Sequence, residues 1–115
     1  MKTIKSNSSF RIESKVKPLQ KSDLLEISGR EWFDRINGNR YYCVYILINN
    51  RLVITVPYTY GYDDSYIQSA TEALKESGII DTGREMYKID AYCRDNDIHC
   101  VCHIQMNCKK KQLAK

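Results

Sequence analysis

Apolar and polar positions alternate in several short runs of this chain, and one longer run repeats at helical spacing. Phe10, Ile12 and Val16 alternate with polar residues and predict a short strand that Pro18 ends. Leu24, Leu25 and Ile27 mark a further strand or an irregular apolar clip over 19–27. Ser28 and Glu31 have capping-box spacing, and Trp32, Phe33 and Ile36 share one helical face. They predict a short helix over 29–36, stopped by Asn37-Gly38, with a strand through Trp32 and Phe33 as the alternative.

Tyr41 to Ile48 is rich in β-branched and aromatic residues and reads as a strand. Asn49-Asn50 turns it back into Arg51–Val56, a pairing that sets Leu47 opposite Leu52, Tyr45 opposite Ile54 and Cys43 opposite Val56. Both faces of this hairpin are largely apolar, so it belongs at the centre of a sheet covered on two sides. Ser65 to Ser77 reads as the main helix, with Tyr66, Ile67, Ala70, Ala73 and Leu74 as its apolar stripe and Gly78 as its stop. A second hairpin is expected from Tyr87, Ile89, Ala91 and Cys93 on one strand and Ile98, Cys100, Cys102, Ile104 and Met106 on the other, turned by Arg94–Asp97.

These elements predict an α+β fold: a single small domain over 10–108, with an antiparallel sheet of two hairpins, one main helix and one short helix. Residues 1–9 read as a flexible N-terminus and 109–115 as a basic flexible tail. Strand order is left open. The order helix, strands, helix has an analogy in double-stranded-RNA-binding domains at the level of fold alone.

At 115 residues the chain makes one domain able to bury a core without staples. No apolar run approaches the roughly 18–20 residues that cross a bilayer, so no membrane partner is expected. Five cysteines, an odd number, and the absence of an apolar signal core at the N-terminus point to reduced thiols in a cytoplasm. The net charge of +4 gathers at the two ends, in Lys2, Lys5, Lys15, Lys17 and Lys21 and in Lys109, Lys110, Lys111 and Lys115. Such clusters attract phosphate or acidic surfaces, although charged ends often serve solubility alone.

The chemistry-bearing residues argue for binding rather than catalysis. In a strand over 98–106, Cys100 and Cys102 point to one side and His99 and His103 to the other, so they cannot converge on one metal ion. Buried core thiols are the simpler reading. Asp63 and Asp64 suit the positive end of the main helix, and secondarily a basic partner. No glycine-rich phosphate loop, nucleophile elbow or metalloprotease motif occurs, so no catalytic residue, metal or cofactor is assigned.

The segment from Pro57 to Tyr66 is the densest in recognition-type residues. Tyr58, Tyr60, Tyr62, Asp63 and Asp64 are the candidate partner-binding residues. Covering the sheet edge is their structural alternative. Arg35, Arg40 and Arg51, with Lys109, Lys110 and Lys111, are the candidate nucleic-acid contacts, the tyrosines stacking on bases.

Trp32-Phe33, Asn37-Gly-Asn-Arg-Tyr41, the hairpin, and Tyr60-Gly-Tyr-Asp-Asp-Ser-Tyr66 before an alanine-containing helix together resemble a family of small bacteriophage and prophage accessory proteins. The resemblance covers about residues 28–80; residues 84–115 fall outside it. It implies a phage origin but no particular activity. Because small phage accessory proteins often act by binding host machinery, including defence nucleases such as CRISPR effectors, the leading expectation is a non-enzymatic binding protein that inhibits or modulates a host protein. Two further functions stand beside that expectation: direct nucleic-acid binding, and a structural or assembly role as a homodimer through the edge of the second hairpin.

Overall fold

The computed structural model describes residues 10–15, 17–61, 65–81 and 89–113. Among these residues it is an α+β domain with five strands: β1 (Arg11–Ile12), β2 (Leu24–Asp34), β3 (Asn39–Ile48), β4 (Arg51–Tyr60) and β5 (His99–Gln105). Two helices among them, α1 (Ser65–Glu76) and α2 (Ile89–Asp95), complete the core, and a 3₁₀ turn (Lys110–Gln112) follows β5. The sheet runs β1-β4-β3-β2-β5. All neighbours are antiparallel except β2 and β5, which are parallel.

Residues 29–36 do not form the expected helix; they continue β2 into a turn. Two periodicities compete here, and period two prevails because Leu25, Ile27, Gly29 and Glu31 all point inward and are buried. The Ser28/Glu31 spacing is coincidental: Ser28 pairs with Tyr45 in the ladder and Glu31 with Tyr42. Asn37-Gly38 is a hairpin turn rather than a helix stop, with Gly38 at φ +71°. Asp34 holds the turn by accepting the N–H of Ile36 at 3.1 Å and the Asn37 side-chain amide at 2.8 Å.

The second hairpin is also replaced. Ile89 and Cys93, read as alternating strand positions, lie four residues apart on the buried side of α2 instead. Tyr87 lies outside the described residues. With a helix before it, β5 joins the sheet in parallel beside β2, so the sheet is mixed. The short helix therefore exists, but at 89–95. Met106, expected to point inward, is exposed beyond the end of β5.

The main helix forms as its stripe predicts. Tyr66, Ala70, Ala73 and Leu74 are buried against the sheet. Gly78, at φ +81°, ends it; Ile79 N–H donates to the Leu74 carbonyl at 3.0 Å. Gly29 makes this packing possible, because a Cβ there would sit 2.9 Å from Tyr66 Cδ2 and 3.2 Å from Ile104 Cγ1. Tyr42 rises from β3 to the helix, sharing a 2.6 Å hydrogen bond with the Ser69 hydroxyl. Burial pushes its phenol above the ordinary range.

The hairpin of β3 and β4 is central, but its register carries two bulges. Leu47 faces Leu52 as expected, whereas Ile54 faces Ile46 and Val56 faces Val44, each one residue from the expected partner. Val53 is the extra residue of the first bulge, and its burial there is why simple alternation fails. The second bulge holds Pro57 and Tyr58; proline, lacking an N–H, belongs at such a break in the ladder.

Of the strand predicted over 10–16, residues 11–12 form β1 and 13–15 do not continue it; Val16 lies outside the described residues. The tail is not free from Lys109 onward. Cys108 and Leu113, the latter 3% exposed, are buried against Cys43 on the sheet face opposite α1. Among the described residues no helix is long and apolar enough to cross a membrane.

Substituting Gly29→Val tests the helix–sheet contact. The added branches must displace the buried Tyr66 ring, so urea unfolding should show a loss of about 1–3 kcal/mol. Unchanged stability would mean that α1 does not rest on β2.

Candidate nucleic-acid interface

Four aromatic rings gather on the sheet face opposite α1, and the register of the strands puts them there. Trp32 pairs with Tyr41, and Tyr41 with Tyr60, so all three project to one side. Val56 points to the helix side with Val44. Regular alternation would send Tyr58 and Tyr60 to that side too. The extra residue at Pro57-Tyr58 reverses the parity and delivers both tyrosines to the opposite face.

The rings pack in a defined order. Trp32 and Tyr41 stack with centroids 5.5 Å apart and an interplanar angle of 23°. Tyr58 and Tyr60 meet Tyr41 edge-on at 5.9 and 6.0 Å. Such offset and edge contacts contribute about 0.5–1.5 kcal/mol each beyond burial. Tyr58 and Tyr60 remain 38% and 52% exposed, so the array is anchored on its inner side and open on its outer side.

Cations border the rings. The Lys110 ammonium lies 5.6 Å over the Trp32 ring, and the Arg30 guanidinium 5.3 Å over Tyr45. Arg30 also donates to the Gln112 carbonyl at 2.9 Å, which ties the C-terminal segment across the face. The segment is fixed at its start by Cys108 N–H donating to the Glu31 carbonyl at 2.8 Å. Lys109 and Lys111 flank Lys110 and are exposed. Burial raises the Tyr45 phenol, keeping it a neutral hydrogen-bonding group at ordinary pH.

On the helix side of the same sheet end, Arg40 pairs with buried Glu31 at 3.0 Å and lies 5.3 Å over Phe33. Arg35 is exposed in the adjacent turn, and so is Ile36. The Asn37 amide beside Asp34 holds that carboxyl below its usual range, so the turn keeps one fixed negative charge.

The candidate residues thus divide. Tyr58, Tyr60, Arg35, Arg40 and Lys109–Lys111 come to one end of the sheet. Arg51 does not: it pairs with Ile48 at the far end of β3. Tyr62, Asp63 and Asp64 lie outside the described residues. Sequence reasoning missed Trp32, Tyr41 and Arg30 as parts of this face because Trp32 was placed on a helix. Reading residues 35–38 as a four-residue hairpin loop pairs Trp32 with Tyr41, whereas a two-residue Asn37-Gly38 turn would pair it with Cys43.

The thiols and imidazoles divide as the alternation predicts: Cys100 and Cys102 are half-buried toward the core, while His99 and His103 are exposed on the other face. The two thiols are 3.8 Å apart. His103 Nε2 is 3.2 Å from Glu26 on β2. Among the described residues, no three His, Cys, Asp or Glu side chains are grouped to hold a metal ion.

Comparison with protein-family models, with curated proteins and with solved structures finds no match to this chain.

Removing the Arg40 partner tests the electrostatics of this end. Arg40→Ala leaves the Glu31 carboxylate buried with its countercharge gone. Because Arg40 itself is 41% exposed, the cost should be about 1–2 kcal/mol in urea unfolding at neutral pH. Glu31→Gln should cost less. An unchanged midpoint for Arg40→Ala would show that water already serves Glu31.

Proposed function

We propose that this protein is a non-enzymatic binding module that holds single-stranded nucleic acid on the face carrying Trp32, Tyr41, Tyr58 and Tyr60. The observation that supports the reading most is the Lys110–Trp32–Tyr41 stack, with two exposed tyrosines at its outer edge. Single strands are bound by aromatic surfaces on which bases stack, next to cations that follow the phosphates. Both parts are present here on a sheet face rather than on separate loops. Lys110 caps one side of Trp32, so an incoming base can replace it while the ammonium moves to a phosphate. The neighbouring Lys109, Lys111 and Arg30 supply further charge. The setting for this reading is the cytoplasm of a phage-infected host.

A second reading follows the phage resemblance: inhibition of a host protein, such as a nucleic-acid-handling defence complex, through the turn from Tyr58 to Asp64. It is favoured by the exposure of Phe33, Ile36, Tyr58 and Tyr60 at the same end of the sheet. Aromatic and arginine side chains gathered at one end of the sheet, on its two faces, have the composition of interface cores. The cations described around the patch favour a polyanion over the basic surface that Asp63 and Asp64 would meet, and this ranks the nucleic-acid reading first.

The single tryptophan supplies the test. Titration with oligo-deoxythymidylate should change Trp32 fluorescence, and affinity should fall steeply with added salt. Tyr60→Ala should weaken binding by about 1–3 kcal/mol. A combined Lys109→Gln, Lys110→Gln, Lys111→Gln variant should flatten the salt dependence while keeping buried Leu113, which truncation of 109–115 would remove. Fluorescence indifferent to oligonucleotide, alongside capture of a nuclease-resistant protein partner that Tyr60→Ala abolishes, would replace this reading with the second.

A further inference from the structure

A second charged feature lies at the opposite end of the sheet. The chain leaving β1 crosses beside the β3–β4 turn before entering β2, and the two segments enclose an open concavity of about 560 Å³. Lys15, Lys17, Lys21 and Arg51 line it, together with Asp23 and Asn49. Its size is within the range of small-molecule sites, but few of its lining residues are apolar, so an uncharged apolar ligand would gain little there.

The arrangement of charge is selective. Asp23 is the one carboxylate among the described lining residues, and among the described residues no lysine or arginine pairs with it. Its oxygens instead accept the Gln20 N–H at 2.9 Å and the Asn49 side-chain amide at 3.1 Å. Lys21 turns outward to Asp97 at 3.7 Å. Lys15, Lys17 and Arg51 form no ion pair among the described residues. Three cations therefore line one space, while the carboxylate that lines it with them accepts hydrogen bonds from Gln20 and Asn49.

The walls are fixed by hydrogen bonds. Asn49 accepts the Leu24 N–H on its side chain at 2.9 Å and donates its own N–H to the Leu24 carbonyl at 2.8 Å. Leu19 N–H donates to Ile79 at 2.8 Å, and the Ser14 hydroxyl to the Leu52 carbonyl at 2.8 Å. Ser22, Asn49 and Asn50 all take positive φ, so both turns hold defined conformations. Ordered walls reduce the cost of binding, and like charges held together favour a multivalent anion.

We infer that this concavity is an oligophosphate-binding site, with Lys15, Lys17 and Arg51 as its phosphate contacts. Arg51 offers a planar fork for two phosphate oxygens, and the lysines act as point charges on the remainder. The site is separate from the aromatic face: Tyr41 and Ile48 are seven residues apart on β3, roughly 24 Å at the rise of a strand.

Calorimetric titration of the full chain with sodium tripolyphosphate, at constant ionic strength, tests the site. Saturable binding is expected, with sulfate a much weaker ligand. Lys17→Gln and Arg51→Gln should each weaken it about tenfold, as expected for loss of one charge-assisted contact. Lys17→Arg should retain affinity, and Tyr60→Ala should leave it unchanged. The last result separates this site from the aromatic face, so either can fail alone. A short oligonucleotide that displaces tripolyphosphate through the same residues would identify backbone phosphate as the source. Its failure to compete would identify a free or nucleotide-borne oligophosphate. No saturable binding at millimolar tripolyphosphate, or equal affinity in the Lys17→Gln, Arg51→Gln double variant, would overturn the assignment.

Discussion

The fold depends on β2 being hydrogen-bonded along both edges. It pairs antiparallel with β3 from Leu25 to Asp34 and parallel with β5 from Leu24 to Arg30. Its inward row must therefore agree with two partner strands and with the helix above. Leu25 and Ile27 satisfy that requirement by burial, and Gly29 by omission, since the ring of Tyr66 occupies the space a side chain would need. Once β2 is fixed, Val44 and Ile104 are placed beside Gly29, and α1 and α2 can close over one face only.

The same constraint creates the opposite face. Every residue of β2 that alternates with the buried row must project away from the helices, and this sends Arg30 and Trp32 outward. Tyr41 follows through pairing. Tyr58 and Tyr60 follow only because β4 carries an extra residue at Pro57-Tyr58. The C-terminal segment then covers the middle of this face with Cys108 and Leu113, and leaves the rings at its end bordered by Lys110. A local departure from ideal pairing thus produces a concentration of exposed aromatic side chains and cations on that side.

Legibility in the sequence followed how many signals agreed. The main helix was readable because its apolar stripe and Gly78 stop gave one answer. The β3–β4 hairpin was readable because β-branched content and Asn49-Asn50 coincided. Where positions fitted two periods, local reading failed: Ile89 and Cys93 suit either a strand or a helix, and Trp32, Phe33 and Ile36 were taken for a helical face. Tertiary pairing decided both cases. The bulges were not legible, since nothing local to Val53 or Pro57 states which partner residue is skipped. Tyr58 and Tyr60 were therefore identified as candidate contacts without Trp32 and Tyr41. Arg51 was grouped with them although the sheet separates it by the length of β3.

A nucleic-acid strand held on the face of Trp32 and Tyr41 would be seen by amide chemical-shift mapping of the full chain with oligo-deoxythymidylate. The perturbed amides should cluster at Arg30–Phe33, Tyr41–Tyr45, Tyr58–Tyr60 and Cys108–Gln112, with α1 and α2 unaffected. Perturbation confined to α1 and α2, or absent at saturating oligonucleotide, would rule out binding on that face.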